Sequence, residues 1–443
     1  MTADARADAG AGLDPGAGAR RIAVIGTGVS GMTAAHLLHT DHEITVFEAG
    51  SRLGGHANTI EVDDPRGRIG VDTGFIVLND TNYPAFSALL ERLEVATQDS
   101  EMGMSIASPN GEFEYANTRR GLFAQRSNLL DRDFLRLIAE QLRFNRAVRP
   151  LIGDPDAPTV GEFLRRGGYS SFFAERAIAP LVSAVWSTGS EGYETFPLGF
   201  LAEFLDNHGM LRQLGRPRWA TVIGGSRVYV DALTRSFADR IRLSAPVRSV
   251  ERTETGVIVR ADGEPAERFD EVVIAAHSDQ ALAMLDRPTE AEREVLGAIP
   301  YSANEATLHT DASLMPQRRS AWASWNFHLR ERPSEATLVT YWMNNLQRLD
   351  AERDYFVSLN MAHEVDPAKR LATIPYAHPA IDQSAAAAQR RWGEISGADR
   401  IHYCGAYWRW AFHEDGCWSA VRACRRLNAG ASLEPEPELE LAA

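Results

Sequence analysis

The chain has 443 residues, enough for two domains with sizeable cores. Hydrophobic residues make up 44% and charged residues 24%, which is ordinary for a soluble globular protein. The formal net charge of −14 argues against general nucleic-acid binding and against electrostatic docking on anionic lipid. No apolar run reaches the length of a membrane span, so none is predicted.

The cysteines and the two ends of the chain indicate a cytoplasmic protein. Cys404, Cys417 and Cys424 form no C-x-x-C pair, which favours free thiols in a reducing compartment over a disulfide framework or a metal site. Residues 1–19 lack the basic and apolar regions of a signal peptide and predict a disordered tail. Residues 431–443 are acidic and predict a second disordered tail.

The first structured element predicted along the chain is a strand followed by a glycine-rich turn. Residues 22–25 form a short apolar run, and Gly26, Gly28 and Gly31 follow at the G-x-G-x-x-G spacing. Gly26 lets the chain turn out of the strand, and Gly28 lets the backbone approach a pyrophosphate. Gly31 lets the following helix pack closely on the sheet.

A helix and a second strand complete this unit. The helix begins with Val29 and Ser30, and its N-terminus presents free N–H groups to phosphates. The second strand, at 43–47, ends in Glu48 and Ala49, about 20 residues after the glycines, where a carboxylate accepts ribose hydroxyls. The placement between strand and helix favours dinucleotide binding over a glycine-rich turn without a ligand.

The residues after Glu48 distinguish between nucleotides. Arg52, Gly54 and Gly55 add a second Gly-Gly turn that a nicotinamide dehydrogenase does not need but a flavoprotein does. With this pattern the chain resembles the FAD-dependent amine-oxidase-like superfamily. The resemblance implies FAD in an extended conformation, with Arg52 and the Gly54-Gly55 backbone near the pyrophosphate. His56 stands where many relatives have Arg, and its alternatives are a contact with FAD and a covalent link to the flavin.

The resemblance assigns two further segments to the cofactor. Thr73, Gly74 and Phe75 lie in a V-D-T-G-F segment that passes near the flavin ring in the superfamily. A series of short strands after residue 240 resembles the second FAD segment, in which the backbone at Val247 pairs with the adenine.

The C-terminal motif G-A-Y-W-R-W-A-F-H-E-D-G resembles the superfamily's last strand and helix. A strand ends at Gly405, and Glu414, Asp415 and Gly416 open a helix whose N-terminus points at the flavin N1–C2=O edge in relatives. The helix dipole would stabilise negative charge on the reduced flavin there. The alternative for Asp415 is a simple N-cap.

These segments predict an α/β protein with a discontinuous Rossmann-like FAD-binding domain and an inserted α+β substrate domain. The helical block near residues 118–215 and the alternating strands of 287–394 belong to the substrate domain. The predicted ranges are 20–85, 216–286 and 395–430 for the FAD-binding domain, and 86–215 and 287–394 for the substrate or cap domain.

Longer motifs, among them VDTGFIVLNDTNYP at 71–84 and CGAYWRWAFHEDG at 404–416, resemble those of a narrower bacterial group of predicted NAD/FAD-binding, amine-oxidase-like proteins. This resemblance covers about residues 20–427. Genes of that group often lie beside cyclopropane-fatty-acid-synthase-like methyltransferases, which implies a lipid or fatty-acyl substrate and a methyltransferase partner. Typical amine oxidases hold a water at flavin N5 with a lysine. The comparable strand here, 302–306, has none, and Lys369 is the only lysine of the chain. This argues against amine oxidation.

Candidate acid–base residues are Glu305, His309, Tyr341 and His413, each of which is also consistent with a structural role. Four tryptophans, at 186, 325, 342 and 408, are candidates for the lining of an apolar cavity or for core packing.

The sequence therefore predicts an FAD-dependent oxidoreductase that takes a hydride from an apolar, fatty-acyl substrate. The alternatives are a redox-neutral isomerase, an amine oxidase and a non-catalytic flavin-binding partner of a lipid-modifying methyltransferase.

Overall fold

The computed structural model describes residues 18–186, 189, 191–211, 217–332, 334, 336–428 and 430–433. Most of the two predicted tails lies outside these residues. Ala431 and Leu433, which the prediction assigned to the C-terminal tail, are buried against the main core.

The described residues form twenty strands and fourteen α-helices. The strands are β1 Arg21–Ile25, β2 Glu43–Phe47, β3 Thr59–Asp64, β4 Gly67–Asp72, β5 Val77–Asn79, β6 Thr97–Asp99, β7 Met104–Ala107, β8 Glu114–Ala116, β9 Trp219–Val222, β10 Ile241–Arg242, β11 Val247–Thr253, β12 Gly256–Ala261, β13 Glu267–Phe269, β14 Glu271–Ile274, β15 Tyr301–His309, β16 Trp325–His328, β17 Val339–Trp342, β18 Phe356–Leu359, β19 Arg370–Pro379 and β20 Ile401–Tyr403. The helices are α1 Val29–Leu38, α2 Pro84–Arg92, α3 Arg132–Ala147, α4 Val160–Arg166, α5 Ser171–Phe173, α6 Ala179–Trp186, α7 Leu198–Asn207, α8 Arg227–Thr234, α9 Ser278–Met284, α10 Glu290–Gly297, α11 Met343–Leu346, α12 Gln383–Arg390, α13 Trp392–Ile395 and α14 His413–Cys424.

A parallel five-stranded sheet, in the order β10-β2-β1-β14-β20, forms the centre of the first layer. Its strands come from three separate stretches of the chain, all within the ranges predicted for the FAD-binding domain. Residues 22–25 of β1 are all buried, as an apolar run without alternation requires in a parallel sheet covered on both faces. Strands β11, β12 and β13 form a separate antiparallel sheet beside it.

A seven-stranded sheet, in the order β19-β15-β18-β17-β16-β7-β8, forms the second layer. Its strands come from 104–116 and 301–379, within the ranges predicted for the substrate domain, and α3 to α7 lie in the chain between those ranges. A small sheet, β5-β9-β6, crosses the predicted boundary at 85/86, because β9 pairs with a strand on either side of it.

Helix α1 packs between the parallel sheet and α14. Gly31 allows the first contact, since a Cβ at this position would lie 2.0 Å from the Gly26 carbonyl oxygen. Gly416 allows the second, since a Cβ there would lie 2.5 Å from a Val29 methyl group. The two ends of the described chain therefore meet at one helix.

His309, a predicted acid–base candidate, is a core residue. It is fully buried in β15, its Nε2 lies 2.8 Å from the Ser358 hydroxyl, and its Nδ1 accepts a hydrogen bond from the Asp311 N–H at 3.1 Å. Burial lowers its pKa to about 4, and nearby Lys369 lowers it further while Asp311 opposes the shift. Burial also lowers the pKa of several other histidines: His36, His56, His208, His378 and His413.

These histidines predict a loss of stability on acidification. Below pH 6.5 the unfolded chain protonates them, whereas the folded chain binds no proton at His309 until about pH 4. Stability therefore falls as the pH falls from 6.5 toward 4. Replacing His309 with Gln, which can still bond to Ser358, should remove about 1.4 kcal/mol per pH unit from that slope. Urea unfolding between pH 7.5 and 4.5 measures it.

The exposed His363 provides the control for this experiment. His363→Gln should unfold with the same pH dependence as the parent protein, because this side chain is exposed and its replacement removes no buried ring. An unchanged slope in His309→Gln would contradict the assignment.

Candidate active site

One large cavity, of about 1340 Å³, joins the two layers. It begins at the N-terminus of α1, where Gly28 and Glu48 line it, and extends to Leu181 of α6 and Tyr341 of β17. The volume exceeds the usual range of small-molecule sites, as a space for both a dinucleotide and a substrate would. We call the end near α1 the dinucleotide end and the rest the substrate arm.

The glycines of the first motif have three different surroundings. Gly26 has a φ of +102°, which the turn out of β1 requires. At Gly28 a Cβ would meet nothing within 4 Å, whereas at Gly31 it would collide with the Gly26 carbonyl. The N-terminus of α1 carries no side-chain cap. Open space beside uncapped N–H groups is the cradle that a pyrophosphate requires.

Glu48 is held at the dinucleotide end by backbone and side-chain donors. Its Oε2 accepts the Thr27 N–H at 3.0 Å and the Thr27 hydroxyl, and its Oε1 accepts the Gly50 N–H at 2.7 Å. The half-buried carboxylate lines the cavity with Ala49 beside it. It thus positions the glycine turn and still faces a ribose site.

Arg52 has a different role from the predicted one. Its guanidinium donates to the carbonyls of Gly55 at 2.7 Å, Leu53 at 3.1 Å and Ala57 at 3.3 Å, and it does not line the cavity. Gly54 also lies behind the lining. Only Gly55 reaches it, where a Cβ would be 3.2 Å from the Gly28 Cα. Arg52 therefore holds the Gly-Gly turn against the cradle from outside.

The segment at 73–75, predicted to pass near the flavin ring, lines the cavity. The Thr73 hydroxyl donates to the Asn58 carbonyl at 3.0 Å and lies 3.1 Å from the Tyr376 hydroxyl. Phe75 donates its N–H to the His56 carbonyl at 2.8 Å. Val247 lines the dinucleotide end beside Pro246 and Arg248.

Three histidines cluster between the dinucleotide end and the substrate arm. The His56 ring stacks on Tyr376 with ring centroids 4.7 Å apart, and the rings of His378 and His277 lie 5.1 Å and 6.4 Å from it. Burial, followed by His378 and His277, lowers the pKa of His56 well below 6.5. Its Nε2 is buried and has no partner among the described residues. That orphaned atom fits a bound cofactor.

A chain of hydrogen bonds fixes the ring of His378. Its Nδ1 lies 3.1 Å from the Asn304 side-chain nitrogen, and the Asn304 oxygen accepts from the Asn360 side chain at 2.8 Å. Because the amide nitrogen is the donor, His378 Nδ1 accepts and its proton is assigned to Nε2. Asn304 lies within residues 302–306 of β15, the stretch predicted to correspond to the lysine-bearing strand of typical amine oxidases. Tyr376 and His378 were missed at the sequence level, although their i, i+2 spacing on β19 puts both on one face.

The C-terminal motif contributes less to the cavity than predicted. Gly405, Phe412 and His413 line it, so the N-terminus of α14 does lie there. Glu414 instead accepts the N–H groups of Ala85 at 3.1 Å and Phe86 at 2.9 Å, which ties α14 to α2. Burial raises its pKa to about 7.

Asp415 and Gly416 also lie behind the cavity lining. Asp415 accepts the Phe412 N–H at 2.8 Å from the third position of α14, so it supports the start of the helix but is not its N-cap residue, which is Phe412. Burial raises its pKa to about 6. Gly416 makes room for Val29, as described for α1.

The predicted cofactor residues therefore divide into two groups. The residues that line the cavity are Gly26, Gly28, Val29, Ser30, Glu48, Ala49, Gly55, His56, Thr73, Gly74, Phe75, Val247 and Gly405. Those that lie outside its lining and position these residues are Gly31, Arg52, Gly54, Glu414, Asp415 and Gly416.

The three predicted catalytic residues also separate. Glu305 is exposed on β15 and does not line the cavity, so that placement is wrong. Tyr341 lines the substrate arm and meets Trp325 edge to face, with ring centroids 5.0 Å apart. His413 lines the cavity but stacks on Phe75 at 3.7 Å, and its Nε2 lies 2.8 Å from the Tyr229 hydroxyl. Burial lowers its pKa to about 3 and keeps it neutral.

The substrate arm is largely apolar and aromatic, and Asn117, Gln141 and Asn145 add uncharged polar groups to its lining. Of the four predicted tryptophans only Trp325 lines it, and Trp219 was missed. Trp186 packs against Phe196 instead, and Trp342 donates to Asp354 at 2.8 Å. Among the described residues that line the cavity, Glu48 and Arg248 are the only Asp, Glu, Lys or Arg, and both are at the dinucleotide end.

Two structural absences hold within the described ranges. Despite the histidine cluster, no group of three or more His, Cys, Asp or Glu residues is arranged to hold a metal ion. No helix there is long and apolar enough to cross a bilayer.

Comparison with known proteins gives the family context. A family model described as flavin-containing amine oxidoreductase matches residues 29–318, which is 290 of the 443 residues. The chain is similar to putrescine oxidase bound to putrescine, at 17% identity and a TM-score of 0.65, over 93% of this chain and 99% of that one.

Two other solved structures are similar to the chain over 92% of its length and 99% of theirs. They are cyclohexylamine oxidase from Brevibacterium oxydans, at 15% identity and a TM-score of 0.67, and a CLA-producing fatty acid isomerase from P. acnes, at 14% and 0.64. At these identities the likeness concerns the fold alone. It confirms the predicted two-domain α/β architecture.

Gly28 and Gly31 form a matched pair for testing the cradle. Gly28→Ala should leave folding unchanged, because its Cβ meets no protein atom, but should weaken FAD binding by about 10- to 100-fold through overpacking against the cofactor. Gly31→Ala should lower the free energy of unfolding of the cofactor-free protein by about 1–3 kcal/mol or more. FAD titration and urea unfolding separate the two effects. If Gly28→Ala and Gly31→Ala changed FAD affinity and the free energy of unfolding equally, the assignment of Gly28 to the pyrophosphate cradle would be contradicted.

Glu48 provides a test of the ribose site. Glu48→Ala should raise the dissociation constant of FAD by about 10- to 100-fold, because a charged acceptor contributes about 1.5–3 kcal/mol. Ultrafiltration of the yellow protein followed by FAD determination measures retention. The control is Glu43→Ala, at an exposed position of β2 outside the cavity. Full FAD retention by Glu48→Ala would contradict the assignment of Glu48 to the ribose of FAD.

Proposed function

This chain belongs to the flavin-containing amine oxidoreductase family, and we propose that it is an FAD-dependent oxidoreductase acting on an apolar, fatty-acyl substrate. When bound, FAD supplies the two-electron acceptor for a hydride from a substrate carbon. The pyrophosphate would lie at Gly28 and the N-terminus of α1, and the ribose at Glu48. His56, with its orphaned Nε2, would contact the cofactor farther along the cavity.

The single observation behind the substrate class is the uncharged substrate arm that continues from the cofactor cradle. Leu137, Leu181, Phe204 and Trp325 line it together with Tyr341. Each methylene of an acyl chain buried there contributes about 0.8 kcal/mol. The arm thus recognises length and shape rather than charge.

An amine would find less support in this arm. To enter as a neutral molecule, a primary amine must first lose its proton, which costs about 5 kcal/mol at pH 7, given an ordinary pKa near 10.4. Entering as a cation costs several kcal/mol of desolvation. Cation–π contact with Tyr376 or Tyr407 would return about 0.5–2 kcal/mol. A fatty acid enters at a lower cost, because taking up a proton at pH 7 costs its carboxyl group about 3.7 kcal/mol, given an ordinary pKa near 4.3. No carboxylate among the described lining residues of the arm makes up the difference for the amine.

The polar residues of the cavity would orient the substrate in their neutral forms. Burial raises the pKa of Tyr341 above its usual range, so its hydroxyl acts as a hydrogen-bond donor and not as a base. Burial lowers the pKa of His378 to about 4, so the neutral ring presents its Nε2–H. Stacking and the bond to Tyr229 give His413 a positioning role beside Phe75.

A matched pair of ligands tests the proposal. A long-chain unsaturated fatty acid and the primary amine of the same chain differ only in the head group. Mixed anaerobically with the yellow holoenzyme, the acid should bleach the flavin absorbance, and the amine should act at least about tenfold more slowly, since 1.4 kcal/mol gives this ratio. Putrescine and cyclohexylamine are the short-amine controls.

Each alternative outcome has a distinct reading. Rapid bleaching by an amine, with turnover in air, would overturn the proposal in favour of amine oxidation. A shifted double bond without lasting bleaching would indicate a redox-neutral isomerase. Binding of the acid with neither change would favour a non-catalytic partner of a lipid-modifying methyltransferase.

A further inference from the structure

Exposed leucines concentrate in one short part of the chain. Ten large hydrophobic residues are exposed among the described residues, and five of them fall within 24 positions: Leu129, Leu130, Leu135, Leu142 and Ile152. Leu130 is 88% exposed and Leu142 is 54% exposed. Burying an apolar side chain of this size is favourable, so several exposed ones close together in the chain mark a surface that something else covers.

The same part of the chain is basic although the protein is acidic. Residues 117–151 contain eight arginines against Asp131, Asp133 and Glu140, a local net charge of +5 in a chain of −14. All eight are exposed: Arg119, Arg120, Arg126, Arg132, Arg136, Arg143, Arg146 and Arg149. Glu140 is buried and already paired with Arg136 at 3.1 Å. We call these exposed leucines and arginines the basic leucine face.

Helix α3 connects this face to the cavity. Leu135, Ala139 and Leu142 are exposed at spacings of four and three residues, which places them on one side of the helix. Leu137 and Ile138 line the substrate arm. Leu142 is both exposed and part of the cavity lining, and so is Met210, which is 38% exposed. The apolar lining therefore continues out of the cavity onto the surface.

We propose that the basic leucine face docks on an anionic phospholipid bilayer and that the substrate arm opens toward its acyl chains. Arginines beside exposed leucines are the composition that binds an anionic membrane surface without crossing it. The docking follows from charge and exposure. Delivery of an acyl chain through the opening rests on the proposed function.

The opening favours a bilayer over an acidic protein as the occupant. An acidic protein would satisfy the arginines, but it would place a polar surface over Leu142 and Met210, where the cavity lining is exposed. A lipid surface satisfies the arginines with its phosphates and continues the apolar medium of the cavity. An acyl chain would then pass from lipid to Leu137 without crossing water.

Vesicle flotation of the holoenzyme tests the docking. The protein should float with vesicles of phosphatidylcholine and phosphatidylglycerol at low salt, much less at high salt, and not with phosphatidylcholine alone. The double variant Arg126→Glu, Arg132→Glu and the single variant Leu130→Glu should each lower the partition coefficient by about tenfold or more.

Two control variants alter matched exposed residues elsewhere. Arg235→Glu and Leu371→Glu should float like the parent protein. The FAD-to-protein ratio shows that each variant is folded. Leu130 is so exposed that its replacement should cost the fold little.

Three results would overturn the docking. The first is that the protein does not float with anionic vesicles, and the second is that the control variants lose as much vesicle binding as the test variants. The third is that the protein binds an acidic polypeptide as tightly as it binds vesicles and that Leu130→Glu does not weaken vesicle binding. The readout needs no turnover. Flotation without flavin bleaching by acyl chains would support the docking and count against the proposed function. Bleaching without flotation would support the proposed function and count against the docking.

Discussion

The close packing of α1 is the constraint on which the rest of the molecule depends. Nine of its ten residues are buried, and glycines permit both of its tightest contacts. Gly31 brings it against the Gly26 carbonyl, and Gly416 brings α14 against Val29. Held on two sides, the helix fixes the position of its N–H groups and of Gly28 before any ligand arrives. The cradle is therefore preorganised, and the cavity begins at a fixed point.

Burial without counter-charge determines the chemistry of the cavity beyond that point. His56, His277 and His378 lie close together, and a charge on one would repel a charge on the next, so burial and proximity both favour neutral rings. Asn304 then fixes which nitrogen of His378 carries the proton. A site built in this way offers directed donors and acceptors without a net charge. It can orient a carbonyl or carboxyl group at the end of an apolar chain more readily than it can hold a cation.

Local geometry could be read from the sequence, and long-range geometry could not. The roles of Gly26, Gly28 and Gly31 depend on residues close by in the chain, so spacing alone indicated them. Tyr376 and His378 reach His56 only because β19 pairs with β15 in a sheet that no local pattern specifies. Glu414 lies on the predicted helix, but its direction depends on α2, which precedes it by more than three hundred residues. The resemblance indicated the order of the strands and helices along the chain. It did not indicate which side chains behind the cavity lining hold the lining residues in place.

The proposed docking differs from what the net charge of the whole chain predicts, because net charge and local charge act over different distances. A net charge describes the long-range field, but salt screens that field within about 8 Å at physiological ionic strength. A membrane in contact with α3 therefore responds to the charges within that distance of it and little to the acidic residues elsewhere. Along residues 117–151 the balance is +5, and the side chains that carry it are exposed. The sign of the local balance, at Leu142, where apolar lining of the cavity is exposed, is the relevant quantity for the proposed encounter with lipid.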